Sequence, residues 1–142
     1  KEYSSLYEKY GMGTTTWSPL SSGILTGKYS NGIPDGSRLS LEKFSWLREM
    51  YETPEGKIKL KIASDLQDLA VKRGVSLAQL SLAWCLKNEN VSSVILGASR
   101  LEQLEDNLKS LEVLHLLDDE LLEEIEVITN NRPEPHIDWK QH

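Results

Sequence analysis

Two clusters hold the residues best suited to chemistry. The first is Gly97-Ala98-Ser99-Arg100, set between an apolar run ending at Leu96 and a segment with helical spacing. A turn from strand into helix leaves backbone N–H groups free, and the helix dipole adds partial positive charge, so an anion fits there. Ser99 adds a hydroxyl and Arg100 a guanidinium. Spacing alone leaves two readings open: a phosphate site, or a capped helix with a tight turn and nothing bound. The second cluster is Trp17-Ser18-Pro19-Leu20-Ser21-Ser22-Gly23, running on to Gly27 and Lys28, just after a strand-like segment. In parallel α/β folds the loops that follow the strands form the ligand end. Lys28 and Arg38 are cations in an otherwise small-residue loop, and Trp17 offers a flat face for stacking. A surface loop around a buried tryptophan is an equal reading of the same residues.

Other chemistries find no support. His115, His136 and His142 lack metal-ligand spacing, and no cysteine pair stands near them, so no metal site is expected. Cys85 follows Trp84 on a helical stripe and suits a small buried residue better than a nucleophile. No Ser/His/Asp or Cys/His arrangement stands out, so no catalytic residue can be named. Trp46 and Trp84 lie on helical stripes and are expected in the core. Trp139 falls in the tail. The acidic run Asp118, Asp119, Glu120, Glu123, Glu124 and Glu126 reads as a solvated helix face.

The elements that must position these groups follow from periodicity. Tyr3, Leu6, Tyr7 and Tyr10 share a helical face, with Gly11 as C-terminal cap, so the first residues read as the tail of a helix. Met12 to Trp17, with three consecutive threonines, reads as a strand. Ser18 to Ser40 is dense in Gly and Pro and reads as a long loop, a length that compact domains keep mainly for binding. A short helix is expected over Leu41–Tyr51. A longer one starts at Thr53-Pro54, with Ile58, Ile62, Leu66, Leu69 and Ala70 as its stripe, and stops at Gly74. Ser76-Leu77-Ala78-Gln79 is a capping box that opens a third helix. Val91 to Leu96 reads as a strand buried on both faces. Ser99-Arg100-Leu101-Glu102 reads as a second capping box, opening a helix to about Ser110. Asp118 to Thr129 is the last helix, and Arg132 to His142 an exposed tail.

Strand–helix–strand alternation predicts an α/β architecture with parallel strands. Two parallel strands make no stable sheet unaided, so further strands are expected upstream of Lys1. The 142 residues, 39% of them hydrophobic in periodic blocks, exclude a wholly disordered chain. No stretch reaches the roughly 18 apolar residues of a membrane span. A formal net charge of −6 argues against a nucleic-acid binder. A single cysteine permits no internal disulfide and fits a reducing compartment.

Two long motifs resemble the aldo-keto reductases. One is Trp17-Ser-Pro-Leu, then Gly23-Ile-Leu-Thr-Gly-Lys-Tyr29, Gly32-Ile-Pro and Ser37-Arg38. The other is Leu77-Ala-Gln-Leu, Ala83-Trp-Cys-Leu, Val91-Ser-Ser-Val-Ile-Leu-Gly-Ala-Ser99, Glu102-Gln103-Leu104 and Asn107. Both look most like the branch that contains the cytoplasmic beta subunits of voltage-gated potassium channels, over about Leu6 to Thr129.

That resemblance implies a TIM (β/α)8 barrel of which this chain is the C-terminal portion, the last two strands and their helices, incomplete as given. Residues 1–131 would be the C-terminal part of an NADP-dependent oxidoreductase domain and 132–142 its tail. Expressed alone, the segment would leave strand edges and apolar faces uncovered and be aggregation-prone. It also implies NADP(H) bound without a Rossmann fingerprint. By position, Trp17 would stack on the nicotinamide, and Ser18, Pro19, Leu20, Ser21 and Ser22 would line the pyrophosphate, with Lys28 nearby. Arg38 would lie by the adenine and its phosphate. Gly97, Ser99 and Gln103 would hold the 2′-phosphate end, and Asp106 and Asn107 would contact the adenine. Asp106 stands where the family usually has Glu, and Gly36 where channel beta subunits often have an aromatic residue.

The family's catalytic Asp, Tyr, Lys and His lie in the first half of the barrel and have no match here. The complete protein would transfer hydride to a carbonyl substrate, with Tyr as general acid. The branch further implies a potassium-channel alpha subunit as partner, a homotetramer, and a cytoplasmic location, peripheral at the membrane through that partner. The alternatives are a soluble reductase with no channel partner and a truncated fragment without independent activity.

Overall fold

A computed structural model describes residues 4–133. Residues 134–142, with His136, His142 and Trp139, and residues 1–3 lie outside the described residues. Helix α1, Ser4–Tyr10, ends where Gly11 takes a left-handed φ of +60° and its N–H donates to the Tyr7 carbonyl at 3.0 Å. Strand β1, Thr14–Trp17, is shorter than expected. The long loop follows, with 3-10 turns at Ser21–Thr26, Arg38–Ser40 and Glu42–Phe44. The short helix expected from Leu41 is therefore that last turn followed by α2, Ser45–Glu52.

Helix α3, Pro54–Lys72, starts as its sequence dictates: the Gly56 N–H donates to Thr53 Oγ1 at 3.0 Å, and Pro54 needs no donor there. Helix α4, Leu77–Lys87, carries both halves of its capping box. Strand β2, Val91–Ile95, pairs parallel with β1, matching Thr15 to Ser93, Thr16 to Val94 and Trp17 to Ile95. Gly13 lies close beside this pair: a Cβ there would come 2.0 Å from Ser92 Oγ, which would have to turn away. Helix α5, Leu101–Leu108, answers the helix expected to about Ser110, and a further short helix, α6, Ser110–Val113, follows that was not expected. Helix α7, Asp119–Thr129, is capped by Asp118 Oδ1, which accepts the Leu121 N–H at 2.8 Å.

Two apolar clusters hold this α/β arrangement together. The larger joins α3, α4, α6 and α7 through Leu66, Leu69, Leu80, Val113, Leu121 and Ile125. The smaller gathers Ile24, Tyr29 and Leu39 of the loop with Leu47, Tyr51 and Ala63. It anchors the long loop against α2 and α3.

Several expectations need correcting. Trp46 is 58% exposed, because α2 buries the Leu47 and Tyr51 row and turns Trp46 and Met50 away. Trp84 is 44% exposed; the larger cluster takes its neighbour Ala83, which is fully buried, in its place. Ile58 is exposed near the start of α3, on the side away from Gly56, which is buried against Tyr51. β2 is not buried on both faces: Val91 and Val94 are half-covered, whereas Ser93 and Ile95 are exposed. No helix among the described residues is long and apolar enough to cross a membrane.

Candidate functional site

Parallel pairing decides where the two sequence clusters meet. With Trp17 opposite Ile95, the chain leaves both strands at the same end of the sheet. The loop starting at Ser18 and the turn starting at Gly97 therefore lie side by side, on two adjacent C-terminal strand ends. Sequence could suggest each cluster singly; the register brings them to one edge.

Trp17 ends β1 on the uncovered face of the sheet and is 79% exposed, so its ring is free to stack on a planar ligand. The backbone then takes three unusual conformations. Ser18, Ser21 and Ser22 adopt left-handed φ values of 52°, 47° and 57°. Non-glycine residues occupy that region at a cost of about 1 kcal/mol or more, and such outliers cluster at ligand sites. Pro19 and Leu20 between them are half-buried. Gly23 keeps room for Lys28: a Cβ there would lie 2.9 Å from Lys28 Nζ. That ammonium stands 5.1 Å from the Tyr29 ring.

Arg38 is exposed, its guanidinium 5.2 Å from the Phe44 ring. The turn that carries it is clamped from two sides. Tyr29 is buried, and its hydroxyl accepts the Leu39 N–H at 3.4 Å. Arg48 of α2 donates through Nη1 to the Leu39 carbonyl at 2.7 Å and the Leu41 carbonyl at 3.3 Å. Tyr29 and Arg48 were not singled out from the sequence. Tyr29 closes the Gly23–Tyr29 motif and Arg48 belongs to none; the role of both appears only when the loop folds back on α2. Ser37 Oγ, next to Arg38, is buried with no hydrogen-bond partner among the described residues.

At the second strand end, Gly97 is exposed and a Cβ there would meet nothing within 4 Å. The second capping box is not formed. Arg100 is the N-cap of α5 without a side-chain bond, so the Ser99 hydroxyl does not cap. Gln103 takes that part instead: its Oε1 accepts the Ser99 N–H at 2.9 Å and the Ser99 hydroxyl at 3.1 Å. Asn107 is buried on α5. The Asp106 carboxylate is turned to α4, where Gln79 Nε2 donates to it at 2.7 Å.

Lys28, Arg38 and Arg100 form no ion pair among the described residues, whereas Arg73 is paired to Glu124 and Arg132 to Glu123. Serine hydroxyls, an amide, an exposed indole and unpaired cations on one edge suit a phosphorylated ligand with a flat ring. No cluster of His, Cys, Asp and Glu able to hold a metal occurs among the described residues. Cys85 is half-buried, and that burial pushes its thiol pKa up, away from nucleophilic use. Two open hollows, of about 400 and 520 Å³, lie elsewhere, beside Trp84 and along the Glu120–Ile128 face of α7.

Comparison with known proteins identifies the family. The model of the aldo/keto reductase family matches residues 1–130. A curated protein of Schizosaccharomyces pombe, described as "Putative voltage-gated potassium channel subunit beta", is 47% identical over 133 residues, which is 94% of this chain and 38% of that protein. The structure of a glycerol dehydrogenase from Gluconobacter oxydans superposes with a TM-score of 0.61 at 22% identity, covering 92% of this chain and 39% of that one. The chain thus spans less than half the length of either. It belongs to the aldo/keto reductase family, and its sequence stands with the branch of the potassium channel beta subunits.

Proposed function

We propose that residues 1–131 are the cofactor-holding C-terminal part of an aldo-keto reductase barrel and bind NADP(H), with residues 132–142 as a tail. The observation that carries this reading is the register of Trp17 against Ile95, which joins the serine loop and the Gly97–Gln103 turn at one edge. Trp17 stacks on the nicotinamide. Ser18, Pro19, Leu20, Ser21 and Ser22, with Lys28, line the pyrophosphate. Arg38, held out by Tyr29 and Arg48, sits by the adenine and its phosphate, and Asp106 and Asn107 by the adenine. Gly97, Ser99 and Gln103 take the 2′-phosphate end. The chemistry that the bound cofactor supplies is hydride transfer to the carbonyl carbon of an aldehyde or ketone. These residues bind and orient; the groups that move protons are expected upstream. Titration of NADPH fluorescence with the full-length natural protein tests the reading. Saturable one-to-one binding supports it, and absence of saturation ends it.

A second reading adds a partner, favoured by the name of the fission-yeast relative. The protein is then a homotetrameric cytoplasmic regulator, held at the membrane through a channel alpha subunit. Co-purification with a potassium-channel cytoplasmic domain supports it. A full-length monomer that ignores such domains leaves a soluble reductase.

A further inference from the structure

Asp106 stands on α5 one turn after Gln103. Its carboxylate is committed to α4: Gln79 Nε2 donates to Oδ1 at 2.7 Å and Ser76 Oγ donates to Oδ2 at 3.4 Å. These two donors are the two members of the α4 capping box. Gln79 Oε1 accepts the Ser76 N–H at 3.2 Å, and Ser76 Oγ accepts the Gln79 N–H at 3.1 Å. The Gln79 amide thus spans the joint, its oxygen closing its own helix and its nitrogen reaching the neighbouring one. The site is partly buried, where a hydrogen bond to a charged group is stronger than one at the open surface.

We propose that Asp106 is a positioning residue, a strut that pins α5 to the N-terminus of α4 and so sets where Gln103 and Ser99 stand. The proposal rests on the NADP(H) reading and deepens it: besides any adenine contact of its own, Asp106 acts on the 2′-phosphate end through α5. Residues three apart on a helix are neighbours on one face, so Asp106 fixes the turn that carries Gln103. Gln103 Oε1 in turn gathers both donors of Ser99. A linked path therefore runs from Ser76 and Gln79 through one turn of α5 to Ser99. Aspartate suits this part: its short carboxylate ends at the capping box of α4.

The test is a reversal of the pair in the full-length protein, with separate affinities measured for NADPH and NADH. Gln79→Glu keeps the oxygen that closes the capping box and sets a second carboxylate against Asp106. It should lower the preference for NADPH over NADH by about fivefold. Adding Asp106→Asn turns the bond round, with an amide at 106 donating to the carboxylate at 79, and should restore the preference to within about twofold. Equal loss for both cofactors would overturn the proposal, since adenine is common to them. So would an unaltered Gln79→Glu variant, or a double variant no better than the single one. Melting temperatures of the same variants separate the two failures. A wild type that binds neither cofactor, with the melt still recovering in the double variant, removes the cofactor role and leaves a structural pair. Recovery in neither removes the pair as well.

Discussion

The packed helices around Leu80 and Leu121 and the strand-end edge around Trp17 and Ser99 are built on opposite terms. In α3, α4 and α7 the rules for a helix start are met. Thr53, Ser76 and Asp118 cap their helices by side-chain hydrogen bonds, and Arg73 finds Glu124. Leu80, Leu117 and Leu121 are almost wholly buried. Along the edge the rules are broken. Three serines hold left-handed backbone, an indole stays in the open, and α5 begins without a side-chain cap. Folding free energy gathers in the first region, and the second uses that support to hold polar groups unpaired. A site that satisfied all its own hydrogen bonds and charges would have little left for a ligand.

Substitutions should separate the two regions, and the largest effect belongs to the helices. Leu121→Ala opens a cavity between α7 and its partners and should cost about 3 kcal/mol in urea unfolding of the full-length protein. NADPH affinity of the folded protein should stay as it was. A large change in affinity with little in stability would break the contrast. Next comes Arg38→Ala, which should weaken NADPH by about tenfold and NADH by less, since the guanidinium answers the extra phosphate. Stability should move by less than about 0.5 kcal/mol, as for an exposed residue. Equal losses for the two cofactors would contradict that assignment. The smallest effect is Ser22→Gly. Removing a left-handed serine gains about 1 kcal/mol, and the freer unfolded chain of glycine offsets part of it. The expected net is a gain of about 0.5 kcal/mol with weaker NADPH binding. A loss of stability would mean that the serine loop is not strained.

The site was legible to the extent that its signals are local. Trp17, the serines after it and Gly97-Ala98-Ser99 lie in contiguous runs, where a strand followed by small residues marks a ligand end. The clamping roles of Tyr29 and Arg48 gave no such sign, because each acts on a turn about ten residues away in sequence. Ser99 misled for a related reason. Its spacing to Glu102 fits a capping box, but Gln103, one residue on, took the bond. The tryptophans of α2 and α4 misled because periodicity gives a face and not the extent of its cover.

Sequence by itself determined most of the elements and their order: caps, glycine stops and apolar spacing act within a few residues, and they placed both strands and every helix but α6. The two motifs also carried the family. Only the tertiary structure decided which groups meet. The parallel register set Ser18 beside Gly97, the fold of the loop on α2 placed Arg38, and the packing of α5 on α4 drew Asp106 to Gln79. The physical reason is range. A cap or a turn is closed by neighbours along the chain, whereas a contact across 27 residues exists only once both helices are packed.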